Sequence, residues 1–209
     1  MGGAIADNVA DLAGALPVLM PAASDLLARR RPGPIELYLD LADSGSRLDL
    51  ASPAAADFQR KFNGFYGVRR NAAWRSVFYA TFEAAKQRGP DPAALFRWAL
   101  AAVERETGRV EASFVSKLVA TLRPEAPVLD SVIREFLAAR MPAPRFGAGS
   151  EEAVTYYDWL QEVMTALSQT TAARAWCDQF DAQFAAVAGA SSIHPVKKLD
   201  FLIWAGGRP

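Results

Sequence analysis

The chain has 209 residues, of which 51% are hydrophobic and 22% charged, and 23 basic residues balance 23 acidic ones. This composition excludes a disordered chain, a collagen-like repeat and a small disulfide scaffold, and the balanced charge argues against a strongly basic nucleic-acid binder. A chain of this length is expected to fold as one domain over residues 1–209. Residues 60–123 nevertheless hold 12 Lys and Arg against 5 Asp and Glu, which can leave one face positive.

The N-terminal segment, residues 1–28, is apolar and rich in alanine. It predicts two short helices, Ala4–Leu16 and Ala22–Arg30, with Pro17 and Pro21 between them. Because the segment has no basic start and is interrupted by acids and prolines, we expect neither a signal peptide nor a membrane span. A cytoplasmic protein that does not bind membranes follows as the expectation.

Residues 35–41 are the one strand-like stretch in the sequence. Ile35, Leu37, Leu39 and Leu41 occupy every second position, which is the period of a half-buried strand. A turn at residues 43–46 and a second short alternation follow it. A small β-hairpin near residues 35–50 is therefore compatible with the sequence.

From Ser52 onward the apolar residues recur with the period of a helix. Proline, glycine and capping residues place the ends of the predicted helices. These helices cover 52–62, 72–87, 93–106, 111–122, 128–140, 150–167, 171–188 and 196–204. The fold class is thus mainly α, a compact multi-helix domain, and the loop at residues 141–150 is the best place for a sub-domain boundary.

The chain has a single cysteine, Cys177, and a single histidine, His194. A disulfide framework and a cysteine-rich zinc site are therefore excluded, and a reduced, intracellular setting is the natural interpretation. Cys177 lies in a helical apolar pattern and is expected to pack as a small hydrophobe. His194 precedes a helix and is expected near its N-cap. We expect no metal and no cofactor.

The segment 58–75 combines five basic residues with five aromatic ones. Cations that contact phosphates, beside aromatic faces that stack on bases, are typical of a nucleic-acid surface. The candidate phosphate contacts are Arg60, Lys61, Arg69, Arg70 and Arg75. The alternative is a helix-loop-helix anchored by its aromatic side chains, with the arginines covering its outer face.

Lys117 and Asp130 are the candidate catalytic residues. The sequence places Lys117 early in one helix and Asp130 near the start of the next, across a turn bounded by prolines. The positive end of a helix dipole and partial burial both lower the pKa of a lysine, which then serves as an amine nucleophile that forms a Schiff base. The alternative is that Lys117 is a surface or snorkelling lysine and that Asp130 is only an acid at a helix N-terminus.

The stretches Lys117–Arg123 and Pro127–Arg134 resemble the catalytic core of helix-hairpin-helix DNA glycosylases, in particular the 8-oxoguanine type. The resemblance implies that Lys117 attacks the sugar C1′ of a flipped nucleotide, that Asp130 assists, and that DNA is the partner. The family has glycines just before the lysine, where this chain has Phe114-Val115-Ser116, and only 13 residues separate Lys117 from Asp130.

Residues 65–71 and 197–204 resemble parts of an uncharacterised bacterial helical family, which implies no activity. Residues 197–204 predict a helix that docks on the rest of the fold rather than a functional site. Two functions therefore stay open. One is a base-excision protein, glycosylase-like, that acts through the amine of Lys117 and Asp130. The other is a non-enzymatic helical interaction protein, whose aromatic-basic segment meets a protein partner.

Overall fold

The computed structural model describes residues 2–29 and 33–207 and confirms the mainly α fold, with no strand in that part of the chain. Two single turns of 3-10 helix, Pro53–Ala55 and Ala190–Ser192, accompany the α-helices. The α-helices of the described residues are α1 Gly2–Ala28, α2 Pro34–Arg47, α3 Ala56–Tyr66, α4 Ala72–Ala85, α5 Pro92–Thr107, α6 Ala112–Leu122, α7 Ser131–Ala138, α8 Ser150–Ser168, α9 Thr171–Gln183 and α10 Pro195–Gly206.

The hairpin near residues 35–50 is wrong, because most of this stretch is helix α2. Pro34 occupies the first turn of α2, where a missing N–H costs nothing. The buried residues Ile35, Tyr38, Leu41 and Gly45 recur every three or four positions and form one face of the helix. Ile35 and Leu41 fit both the strand and the helix period, and burial of the helical stripe, with Leu37 and Leu39 only half-buried, decides between them.

The two predicted N-terminal helices are also wrong, because α1 runs without a break through Pro17 and Pro21. Both prolines lie on the exposed side, while a continuous buried stripe that includes Leu12, Leu16 and Leu19 packs against the core. Arg30, the predicted end of the second helix, lies outside the described residues.

Part of α1, Asn8–Ala28, has the length and apolar composition of a membrane span. Core helices and signal sequences share these two properties. In this structure α1 packs along α8, α9 and α10.

The remaining predicted helices are present, with shifted ends. Helix α3 continues to Tyr66 and ends at Gly67, whose φ of 66° lies in the left-handed region that glycine adopts without strain. Helix α7 is shorter than predicted and begins only after Asp130. The loop after α7 leads to α8, and the predicted start at Ser150 is confirmed.

Helix α10 is the central element of the fold. It contacts α1, α7, α8 and α9, and every residue from Val196 to Ile203 is buried. A helix buried on all sides is normally apolar all round. Helix α10 instead buries Lys197, Lys198 and Asp200, and the first and last of these face the candidate site.

Candidate functional site

A cavity of about 70 Å³ lies between the C-terminal end of α3, the loop before α7, and α10. Its apolar walls are Phe65, Val128, Ile133, Phe201 and Trp204. Its polar lining consists of Tyr66, Asp130, Lys197 and Asp200. Aromatic walls beside a few convergent polar groups resemble the lining of small-molecule sites, and the volume is smaller than the roughly 300–1,000 Å³ of such sites.

Lys197 and Asp200 form a buried ion pair on the cavity side of α10. Each is 3% exposed, and Lys197 Nζ lies 3.6 Å from Asp200 Oδ2. The backbone N–H of Val128 also donates to Oδ2, at 3.2 Å. The other carboxylate oxygen, Oδ1, is buried and has no hydrogen-bond partner among the described residues. A buried carboxylate oxygen without a hydrogen-bond partner is rare in native proteins and needs an explanation.

Burial raises the pKa of Asp200 to about 7, because a carboxylate loses its hydration there. Lys197 opposes this rise, and the negative charge of Asp130 adds to it. Asp200 therefore exchanges its proton near neutral pH, which is the range that general acid-base catalysis requires.

Lys197 is held as a cation. Its amine lies 5.1 Å from the ring centre of Tyr38 and 5.2 Å from that of Phe201. Burial lowers the pKa of Lys197, but interactions with Tyr66, Asp200 and Tyr38 outweigh burial and raise it above its ordinary value. Burial also raises the pKa of Tyr38, to about 12, so this phenol stays neutral.

Lys117 is buried on α6, and its side chain is 8% exposed. Its amine donates a hydrogen bond to the carbonyl oxygen of Tyr66 at 3.3 Å and lies 5.3 Å from the ring centre of Phe114. Burial lowers the pKa of Lys117, Asp130 partly offsets this, and the charge of Lys197 lowers it further. The described cavity lining does not include Lys117, whose amine instead contacts the lining residue Tyr66.

The sequence argument for a low pKa at Lys117 needs one correction. Lys117 is the sixth residue of α6, and the field of a helix dipole falls off within the first turn. The helix N-terminus therefore contributes little. Burial, the second cause named from the sequence, is the dominant one.

Asp130 caps α7 and lines the cavity at the same time. Its Oδ1 accepts the backbone N–H of Ile133 at 2.9 Å, the hydrogen bond of a helix N-cap. Its charge also raises the pKa of both Lys117 and Asp200. The structural role expected of Asp130 is thus present, together with electrostatic coupling to the candidate nucleophile.

The basic residues of the segment 58–75 divide into two groups. Arg60 and Lys61 lie on α3, where both pair with Asp57 and Lys61 also contacts Asp40 at 2.8 Å. Lys61 is one helical turn before Phe65, a wall of the cavity.

The other three basic residues lie in and after the loop that follows α3. Arg70 forms a two-point ion pair with the buried Glu111, at 3.0 and 3.1 Å. Arg75 donates to the carbonyl oxygen of Arg70 at 2.8 Å, and Arg69 is exposed. Arg70 also lies 5.2 Å from the ring centre of Phe114, the same ring that Lys117 faces. The fold thus brings the aromatic-basic segment beside the candidate lysine.

Sequence reasoning missed Lys197 and Asp200, since their block predicts only a docking helix. A signal was nevertheless present. Two opposite charges three residues apart interrupt an otherwise apolar helix, and such charges are almost never fully buried unless they are paired. What the sequence could not supply is that α10 lies at the centre of the fold.

The single histidine and cysteine lie outside the described lining of the cavity. His194 caps α10, because its Nδ1 accepts the N–H of Val196 at 3.3 Å, and burial lowers its pKa. Cys177 is half-buried, and burial raises the pKa of its thiol, which disfavours the reactive thiolate. Within residues 2–29 and 33–207 no cluster of three or more His, Cys, Asp or Glu side chains has the arrangement of a metal site.

Comparison of the chain with protein-family models, with curated proteins and with solved structures gives no match. Function therefore has to follow from the chemistry of the side chains at this site.

Proposed function

We propose that this protein is a base-excision enzyme, glycosylase-like, that cleaves the bond between a base and its sugar in DNA. Lys117 supplies the amine nucleophile and Asp130 is its electrostatic partner. One observation carries the proposal. A buried amine with a lowered pKa is coupled to a carboxylate that lines a cavity with aromatic walls.

The chemistry requires a neutral amine, because an ammonium group has no lone pair for attack on carbon. Burial increases the neutral fraction of Lys117 at any given pH. The other lysine of the site, Lys197, stays protonated and supplies positive charge instead. Asp130 is suited to stabilise the positive charge that develops on the sugar as the base leaves.

The cavity has the wall chemistry that an extruded base needs, but at about 70 Å³ it has to widen before a base fits. An enzyme that acts on a base inside a duplex flips the nucleotide into a pocket and stacks the base against aromatic or apolar side chains. Phe65, Phe201 and Trp204 supply such faces. Because the Lys117 amine contacts Tyr66, the end of α3 has to shift before this amine can meet a sugar in the cavity.

The five candidate phosphate contacts differ in how readily they reach DNA. Arg69 is exposed, and Arg60 and Lys61 form ion pairs at the surface, which are weak and which phosphates can replace. Arg70 and Arg75 are held by Glu111 and by the backbone. Arg69, Arg60 and Lys61 are therefore the first residues to test for a change in the salt dependence of DNA binding.

Borohydride trapping tests the proposed nucleophile. The full-length protein is mixed with duplex DNA that carries an abasic site or a damaged base, and reduction fixes any Schiff base as a covalent adduct. The wild type should form the adduct and Lys117→Gln should not. Lys198→Gln is the matched control, because Lys198 is also buried but pairs with Asp181 outside the cavity lining.

Two results would contradict the assignment. An adduct that survives Lys117→Gln but is lost in Lys197→Gln would transfer the role to Lys197. The absence of any adduct with the wild type, on abasic DNA and on a panel of damaged bases, would remove the proposed lyase chemistry.

A second candidate is the non-enzymatic interaction protein. The ion pairs of Arg60, Lys61 and Arg70 favour it over a DNA-binding protein, because they neutralise within the chain most of the positive charge that DNA phosphates would contact. Arg69→Glu should then abolish capture of a protein partner, whereas Arg174→Glu, at an exposed position on α9, should not. Capture that is unchanged by Arg69→Glu would discard this surface.

A further inference from the structure

We infer that Asp200 is the general acid of the site and protonates the departing base while the bond to the sugar breaks. This inference rests on the proposed function and adds a catalytic residue to it. No feature of the resemblance to glycosylases pointed to Asp200. The inference stands on the position of this carboxyl group in the cavity.

The geometry identifies the oxygen that carries the proton. The backbone N–H of Val128 and the amine of Lys197 both approach Oδ2, which is therefore the accepting oxygen. Oδ1 is buried and has no partner in the described part of the chain. A proton on Oδ1 makes this oxygen a hydrogen-bond donor, and a ring nitrogen of a base that enters the cavity lined by Asp200 is a suitable acceptor once the cavity widens.

Several helices contribute titratable side chains to the surroundings of Asp200. Lys197 lies on the same helix, and Asp130 lies in the loop before α7. The phenols of Tyr38, Tyr66 and Tyr157, on α2, α3 and α8, also face this cluster. Glu125 acts on Tyr38 and Tyr157, and Lys117 interacts with Asp130 and Lys197. Burial raises the pKa of Tyr157 well above its ordinary value, so its hydroxyl stays protonated, and it donates to the carbonyl oxygen of Pro127.

Two carboxyl groups in one cavity cannot both ionise freely, because like charges disfavour each other. Asp130 is half-buried and its carboxylate accepts the capping N–H, whereas Asp200 is fully enclosed and its pKa is about 7. A substantial fraction of Asp200 is therefore the neutral acid at neutral pH, whereas Asp130 keeps its role as helix cap and electrostatic partner.

The step balances as follows. The bond from C1′ to the base nitrogen breaks, its electron pair stays on the base, and the proton on Asp200 Oδ1 moves to the base. The lone pair of Lys117 forms the new bond to C1′, and the nitrogen releases one proton to solvent water. Cleavage of C1′–O4′, with that proton delivered from solvent to O4′, gives the protonated Schiff base.

Asp200→Asn separates this inference from the proposed function. Asparagine keeps an acceptor for the Val128 N–H but cannot supply an acid proton. An abasic site has no base to protonate, so trapping on abasic DNA needs Lys117 and does not need Asp200. We expect Asp200→Asn to release a damaged base, with 8-oxoguanine as the first probe, about 100-fold more slowly in single turnovers. Trapping on abasic DNA should stay within twofold of the wild type.

The pH profile of base release gives a readout that a purely structural role would not move. For the wild type the profile should be bell-shaped, because the rate rises with pH as Lys117 loses its proton and falls at higher pH as the acid form of Asp200 is depleted. Asp200→Asn should lack the falling limb. Asp181→Asn, which removes another lysine-paired acid at a position outside the cavity lining, should keep it.

Each remaining outcome decides the question. Normal base release and an unchanged profile in Asp200→Asn, with a wild type that traps abasic DNA, would overturn the role of Asp200 alone. A wild type that forms no adduct would overturn the proposed function and this inference together. If Asp200→Asn fails to fold, Lys197→Met decides. Removal of the cation should move the falling limb to higher pH, and a limb that stays in place would refute the assignment.

Discussion

The pH dependence of stability at Asp200 is the most direct test of the site, because it needs no substrate. The pKa of this carboxyl is about 7 in the folded protein, and an aspartate in an unfolded chain has a pKa of about 3.9. Between these values the folded protein holds a proton that the unfolded chain has released. The stabilisation from this proton is fully present below the unfolded pKa and is lost as pH rises through the folded pKa.

The size of the effect follows from the two pKa values. A difference of about three in pKa corresponds to about 4 kcal/mol of unfolding free energy. Asparagine binds no proton in either state, so Asp200→Asn lacks this loss. The free energy of unfolding of the variant minus that of the wild type should therefore increase by about 3 kcal/mol between pH 4 and pH 7 and level off above pH 8, about 4 kcal/mol above its acid limit.

Urea denaturation of both proteins across this pH range measures the difference directly. All other titrating groups act on both proteins and largely cancel in the difference. An ordinary ion-paired aspartate with a lowered pKa gives the opposite slope, because the wild type then gains stability as pH rises. A difference that is flat or that decreases with pH would therefore refute the conclusion that burial outweighs the pairing with Lys197.

Three further predictions concern neighbouring features. As pH rises towards 10, the unfolding free energy of Lys117→Met relative to the wild type should decrease. Burial lowers the pKa of Lys117, so only the wild type gains stability as this lysine loses its proton. Equal pH dependence of the two proteins in urea titrations would argue against a desolvated amine. Asp130→Ala should cost about 1 kcal/mol by loss of the cap on the Ile133 N–H, and Asp130→Asn much less; equal losses in the two variants would assign the effect to charge rather than capping. Phe62→Ala should cost about 3–5 kcal/mol, because this ring is fully buried among other aromatic rings. Leu48→Ala, at a position that is 37% exposed, should change stability by less than about 0.5 kcal/mol. Calorimetry that finds equal losses in the two variants would contradict the packing described.

The helices with local stop and start signals could be predicted from the sequence. Helix α5 is the clearest example, since Asp91 caps it, Pro92 occupies its first turn and Gly108 ends it in the left-handed region. These signals act within a few residues and need no knowledge of the rest of the fold. The acids Glu151 and Glu152 in the first turn of α8 are a signal of the same local kind, although the cap itself is Gly149 and not Ser150.

The two errors in the N-terminal third have a common cause. Residues 35–41 satisfy the periods of both a strand and a helix, and Pro17 and Pro21 are helix breakers by any local rule. In both segments the buried stripe that packs against other helices decides the outcome. Tertiary packing overrides local preference in such cases, and the sequence of the segment does not contain the packing partner.

Only half of the candidate site could be predicted from the sequence, because tertiary packing brings the other half to it. Lys117 and Asp130 flank one turn, so their proximity follows from local chain order. Lys197 and Asp200 join them from a helix that begins more than 60 residues later. Their surroundings, and with them the raised pKa of Asp200, depend on how α10 packs against the rest of the fold.

Helix α10 packs most extensively against α1, although more than 160 residues of sequence separate the two. Closing such a long stretch of chain costs entropy before any contact is gained, so contacts of this kind tend to form late in folding. The segments from α3 to α6 are neighbours in sequence and can associate earlier. A folding intermediate with only these helices assembled would therefore contain Lys117, but it would lack both the cap that Asp130 forms on α7 and the α10 wall of the cavity.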